Sequence, residues 1–188
     1  MERRPPALVT ALVTDVGNDI LYGTPVEGIL GWVSECVERL RAIGAATVLT
    51  DLPLASVASL SNARFLLFRS ILVPSCRLSL PDVVDRSAAV AEGLARLAAR
   101  HDARFVELKA EWYGFDPIHI RPRLWEAAWR EILLGDGASR PSKTQARGLR
   151  EWLRLYAARP EQRWLLGHEQ RQSQPVMAVG RDTTLWLY

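Results

Sequence analysis

The feature that most constrains the fold is a strand, helix, strand order across residues 7–53. "ALVTALVTD", Ala7 to Asp15, is short, rich in β-branched residues and soon followed by a Gly-Asn pair, which favours a buried strand over a helix. "AATVLTDLP", Ala45 to Pro53, repeats the pattern and ends at a proline that cannot continue a ladder. Between them, Val26, Ile29, Leu30, Val33, Val37 and Leu40 recur at the spacing of one helix face. Thr24 is expected as the N-cap of that helix, Pro25 at its first position, Glu27 as the completion of a capping box and Gly44 as its stop. A crossover of this length makes successive strands parallel, so an α/β sheet is expected.

The rest of the chain extends that sheet. "ARFLLFRSILV" reads as a short helix inside an insertion from Leu54 to Leu80 over the strand tips. "PDVVDRSAAVAEGLARLAAR", Pro81 to Arg100, is an alanine-rich helix with Val84, Ala88, Ala91, Leu94 and Leu97 as its apolar stripe, and "ARFVEL" is a third parallel strand. An aromatic, Gly- and Pro-rich loop, "KAEWYGFDPIHIRP", then leads to a helix near Arg123 to Leu134. From Gly135 the composition changes: "GDGASRPSK" resembles a linker, "TQARGLREWLRLYAAR" a helix, and "PVMAVGRDTTLWLY" two short strands around a Gly-Arg-Asp turn. The division expected is 1–134 for the sheet domain and 135–188 for a helix and hairpin extension packing on it.

Composition excludes several classes. With 188 residues, nearly half of them apolar and a quarter charged, the chain is long enough for one substantial core and lacks the bias of a disordered or fibrous protein. The net charge of +3 is carried almost wholly by arginine, Lys109 and Lys143 being the lysines, and identifies no partner. Cys36 and Cys76 have no metal-ligand spacing and do not cluster with the three histidines. No apolar run reaches the roughly 18 residues of a membrane span, and no secretory leader is evident, so a soluble, cytoplasmic protein is expected.

Two strand-end loops carry the chemistry, "DVGNDI" after the first strand and "FDPIHIRP" after the third. In a parallel sheet both open on the edge where α/β proteins keep ligand sites. Asp116 and His119 lie three residues apart on a turn stiffened by Pro117, so the carboxylate can hold one imidazole nitrogen and leave the other as a general base. Asn18 can donate an amide N–H to an oxyanion, and Gly17 allows close approach to the backbone.

These loops resemble two sequence blocks of the SGNH hydrolases, the GDSL esterases and lipases. "VGND", Val16 to Asp19, is similar to their G-x-N-D block, with Val16 at the place of its glycine and Gly17 at the variable position; "DPIH", Asp116 to His119, matches their D-x-x-H block. The likeness runs from about Ala7 to Leu134 and implies a three-layer, flavodoxin-like parallel sheet, N-terminally incomplete here. It further implies Asn18 as an oxyanion-hole donor, with Gly17 beside it, His119 as the base and Asp116 as its orienting acid. A small ester or acylated substrate is implied, and neither metal nor organic cofactor. The family's G-D-S block with the nucleophilic serine, and its oxyanion-hole glycine block, are not found. Only "MERRPP" precedes the first strand, and "GDGAS" at Gly135 to Ser139 follows a helix, so Ser139 is not assigned as the nucleophile and no G-x-S-x-G elbow occurs. A misassigned gene start is the leading explanation, and this chain alone is expected to be inactive.

An apolar first strand at a sheet edge also calls for a neighbour: two further strands, a second chain, or the C-terminal hairpin folded back. Two other readings remain. Arginines interleave with Trp152, Tyr156 and Trp164 between Arg140 and Arg171 as on a nucleic-acid surface, although an amphipathic helix with a solvated basic face is the preferred account. The chain can also be a non-catalytic subunit that binds a partner through its first strand. His101 and His168 read as surface residues, Trp112 and Tyr113 as packing in preference to an acyl-binding wall, and Trp125 and Trp129 as core.

Overall fold

The structure, a computed structural model, describes residues 9–135, 153, 157–165, 168–175, 177–178 and 184–185. The two β-branched segments form strands β1 (Thr10–Val13) and β2 (Ala46–Thr50), paired in parallel with Thr10 opposite Ala46 and Val13 opposite Leu49. Strand β3 (Arg104–Val106) joins the far side of β2, also parallel, with Val48 opposite Arg104. The order β1-β2-β3 makes a mixed α/β unit with a three-stranded parallel sheet. Helices α1 (Asn18–Leu21) and α2 (Val26–Ala42) connect β1 to β2. Helices α3 (Leu54–Ala58), α4 (Asn62–Leu72) and α5 (Leu80–His101) connect β2 to β3.

Strand alternation divides the core into two layers. Val13, Leu49 and Phe105 stand in one row and pack with Ile29, Val33 and Val37 of α2 and Val90, Leu94 and Leu97 of α5. Leu12 and Val106 point the other way, toward Trp112, Tyr113, and Ala128 and Ile132 of helix α6 (Trp125–Leu134). Helices therefore cover both faces, which is why central β2 is buried at four of its five residues. β1 has no strand on its outer side among the described residues and is only half-buried. Helices α2 and α5 meet at Gly93, where a Cβ would lie 2.3 Å from Leu30 Cδ1, so that position admits no side chain without movement.

Several local expectations are corrected. Helix α2 has no capping box: Pro25, extended at φ −61° and ψ 147°, is the N-cap, and Thr24 precedes it. The cap forms through the backbone, with the Ile29 N–H donating to Pro25 O at 3.1 Å. The full capping box belongs to α5, where the Ser79 hydroxyl accepts from the Asp82 N–H at 3.3 Å and the Asp82 carboxylate accepts from the Ser79 N–H at 2.9 Å. Of the stripe expected for α5, Ala91, Leu94 and Leu97 are buried and Val84 is half-buried, but Ala88 is exposed, and Val83, Ser87 and Val90 complete the buried face. Trp125 and Trp129 are not core: they are 53% and 36% exposed, because Ala128 and Ile132 form the inward face of α6.

Residues 139–188 form a second compact unit beside residues 1–138 in the sequence. It contains the antiparallel pair β4 (Gln162–Leu165) and β5 (His168–Arg171), and the tail strands β6 (Met177–Ala178) and β7 (Thr184–Leu185), paired antiparallel. The first hairpin was not anticipated. The arginine-rich helix expected between Thr144 and Arg159, with Trp152 and Tyr156, lies mostly outside the described residues. Among the described residues no helix is long and apolar enough to cross a membrane.

Candidate functional site

The loop after β1 is shaped by two apolar anchors. Val16 and Ile20 are both buried in the core under α2, and between them Asn18 is left exposed at the first position of α1. The chain turns at Asp15, whose φ of 60° is left-handed, and the Asn18 N–H closes the turn by donating to Asp15 O at 3.3 Å. Aspartate is among the few non-glycine residues that tolerate this conformation. Gly17 is therefore not the left-handed residue of this turn: its φ is −66°, and its bare face meets Leu52, whose Cδ2 would lie 3.1 Å from a Cβ there.

The loop after β3 is tied down by its own side chains. Asp116 Oδ1 accepts from the Ile118 and His119 N–H groups at 3.0 and 3.1 Å, and Oδ2 contacts His119 Nδ1 at 2.7 Å. Burial raises the Asp116 carboxyl, but the hydrogen bonds from Ile118 and from the His119 side chain and backbone outweigh it and hold it below the ordinary carboxylate range. A carboxylate only accepts, so Nδ1 carries a proton and Nε2 is the nitrogen left for other work. Arg64 of α4 donates to Gly114 O at 3.2 Å and to Phe115 O, while Arg121 donates to Glu111 O. The Arg121 N–H reaches Trp112 O at 2.8 Å, and the Trp125 indole N–H reaches Ile120 O at 2.7 Å. Two arginines and a tryptophan thus fix the ends of the DPIH turn.

The two loops meet. His119 and Asn18 line one cavity of about 150 Å³, together with Asp15, Gly17, Leu52 and Ser87. On its other side His119, with Thr14 and Asp15, borders a larger cavity of about 310 Å³ walled by Tyr113, Trp125 and Trp129. Asp51 at the tip of β2 is raised by its burial, opposed by the Leu52 N–H and reinforced by Glu107. Tyr113 is pushed up to about 12 by burial and by Asp15 and Asp51, so it remains a phenol. Thr14 and Thr50 are joined through their hydroxyls at 2.8 Å across the strand ends.

All four residues singled out from sequence, Gly17, Asn18, Asp116 and His119, thus stand at the same sheet edge, and Gly17, Asn18 and His119 share a cavity. Several lining residues were missed, Thr14, Asp15 and Ser87 among them, while Tyr113, read as packing in preference to an acyl-binding wall, lines the larger cavity. Asp15 carried a weak signal, a polar residue closing an apolar strand; Ser87 carried none, because its place depends on how α5 packs. His101, expected at the surface, is half-buried beside Arg41, and His168 is exposed. Among the described residues no group of three His, Cys, Asp or Glu side chains could hold a metal ion. In comparisons with family models, with curated proteins and with solved structures, nothing matches this chain.

Proposed function

We propose that this site is the acid–base and oxyanion part of an SGNH-type serine ester hydrolase or acyltransferase, on the later strands of a flavodoxin-like sheet. The observation that carries the reading is the 2.7 Å contact between Asp116 and His119 on a cavity that Asn18 also lines. In this mechanism His119 Nε2 takes the proton of a serine hydroxyl as its oxygen attacks the ester carbonyl, and Asp116 holds the imidazole and the charge it acquires. Asn18 donates to the tetrahedral oxyanion. On collapse the proton passes from His119 to the departing alkoxide, and water or an acceptor alcohol, activated by the same imidazole, releases the acyl group.

No residue of this chain is assigned as the nucleophile. The reading takes that serine from outside these residues, and the outer edge of β1, unpaired among the described residues, is where the strand bearing it would pair. The test is active-site labelling of the protein expressed from its whole in-frame coding region, read upstream of Met1. A fluorophosphonate is expected to modify one serine within a G-D-S sequence, and His119→Ala to slow that labelling by a factor on the order of a hundred or more. An in-frame stop immediately ahead of Met1, or labelling indifferent to His119, would sink the proposal. The same edge favours a second reading, a subunit that recruits a partner strand without catalysis; a stable hetero-complex lacking esterase activity would select it.

A further inference from the structure

The cavity on the far side of His119 is unlike the one it shares with Asn18. Leu108, Tyr113, Ile118, Trp125, Trp129 and Ile132 make its walls, and its polar lining, Thr14, Asp15 and His119, is gathered at the strand tips. Its volume of about 310 Å³ holds about ten non-hydrogen atoms, at roughly the 30 Å³ of a liquid water each. Pockets for small ligands are of this size and this make-up, apolar walls with a few convergent polar groups. Trp125 is also held in place, because its indole N–H is committed to Ile120 O, so its ring face is a fixed wall. Substantial exposure of both tryptophans is the cost of leaving this wall open.

We infer that this aromatic pocket binds the apolar arm of the substrate, a chain of about eight carbons whose polar end lies against His119. The inference rests on the reading of His119 as the base. It makes the site two-sided: the small cavity beside Asn18 receives the carbonyl oxygen and a short substituent, the large one the long arm. That arm belongs to either the acyl or the alcohol half of the ester, since both present the same apolar chain next to a polar atom.

The pocket is tested by binding, without turnover. Octanoate and 1-octanol, with acetate and ethanol as short controls, are titrated into the full protein carrying fluorinated tryptophan, the Trp125 and Trp129 signals being assigned by Trp→Phe variants. At least one of the two eight-carbon probes is expected to shift both signals and saturate at millimolar concentration or below; octanoate assigns the pocket to the acyl arm, octanol to the alcohol arm. Trp129→Ala is expected to weaken this binding about tenfold, as is Trp125→Ala should the first variant fold poorly. Trp32→Ala, exposed on α2, is expected to leave it unchanged. Short probes binding equally well, no saturation by either long probe, or indifference to both pocket variants would overturn the inference, as would shielding of both indoles from a soluble quencher in the free protein. The two proposals fail separately: octyl binding by the protein from its whole in-frame coding region, with ester hydrolysis absent or indifferent to His119→Ala, leaves the pocket standing and defeats the catalytic reading alone.

Discussion

Asp116 has three hydrogen bonds and two tasks: it closes the DPIH turn through Ile118 and His119, and it orients the imidazole. Its carboxyl is lowered in the folded state, so its contribution to stability is fully present above the unfolded value of 3.8 and is lost as pH falls through the lower folded value. Asp116→Asn is therefore expected to flatten the fall in stability below about pH 4, measured by denaturant unfolding across that range, with little change in that slope near neutrality. The side chain is partly exposed, so the effect is small. Residue chemistry of this kind was readable in the sequence, since a carboxylate three residues before a histidine across a proline has few ways to arrange itself. The left-handed residue was not: it is Asp15, just ahead of the buried Val16, and no residue type in this loop marked it out.

At the scale of elements, periodicity located the three strands and helices α2, α4, α5 and α6 of the sheet unit, while the short helices α1 and α3, and the ends and rotations of the longer ones, escaped it. The N-terminal half of the α5 stripe was misplaced because Ser87 is buried although polar, and a polar residue does not announce a buried face. The capping box of α5 was missed because Ser79 stands two residues ahead of Pro81, where the helix was expected to begin. Ser79→Ala, which removes the acceptor for the Asp82 N–H, is expected to cost about 1 kcal/mol in chemical denaturation. Gly93 makes a sharper prediction about packing. Its missing side chain lets α2 and α5 approach at Leu30, so Gly93→Val is expected to destabilise by about 1–3 kcal/mol despite the poor helix propensity of glycine. Leu30→Ala in the same protein should recover part of that loss, a non-additivity that a double-mutant cycle measures.

The whole molecule explains why one site can form from loops about a hundred residues apart. Parallel strands bring their C-terminal ends to one edge, and two helical layers hold that edge still, so Asn18 and His119 converge without any direct bond between them. That the sheet unit is α/β with a parallel sheet followed from strand and helix order alone. What composition could not foretell was which aromatics face solvent: Trp125 and Trp129 lie on a helix whose inward face is supplied by Ala128 and Ile132, and a tryptophan's size argues for burial until its neighbours are placed. The central claim, that His119 and Asn18 act on one ester, is tested most directly by p-nitrophenyl ester hydrolysis with the protein from its whole in-frame coding region. His119→Ala and Asn18→Ala are each expected to lower kcat by a factor on the order of a hundred or more while the fold is retained. Hydrolysis that proceeds at the wild-type rate in both variants would contradict it.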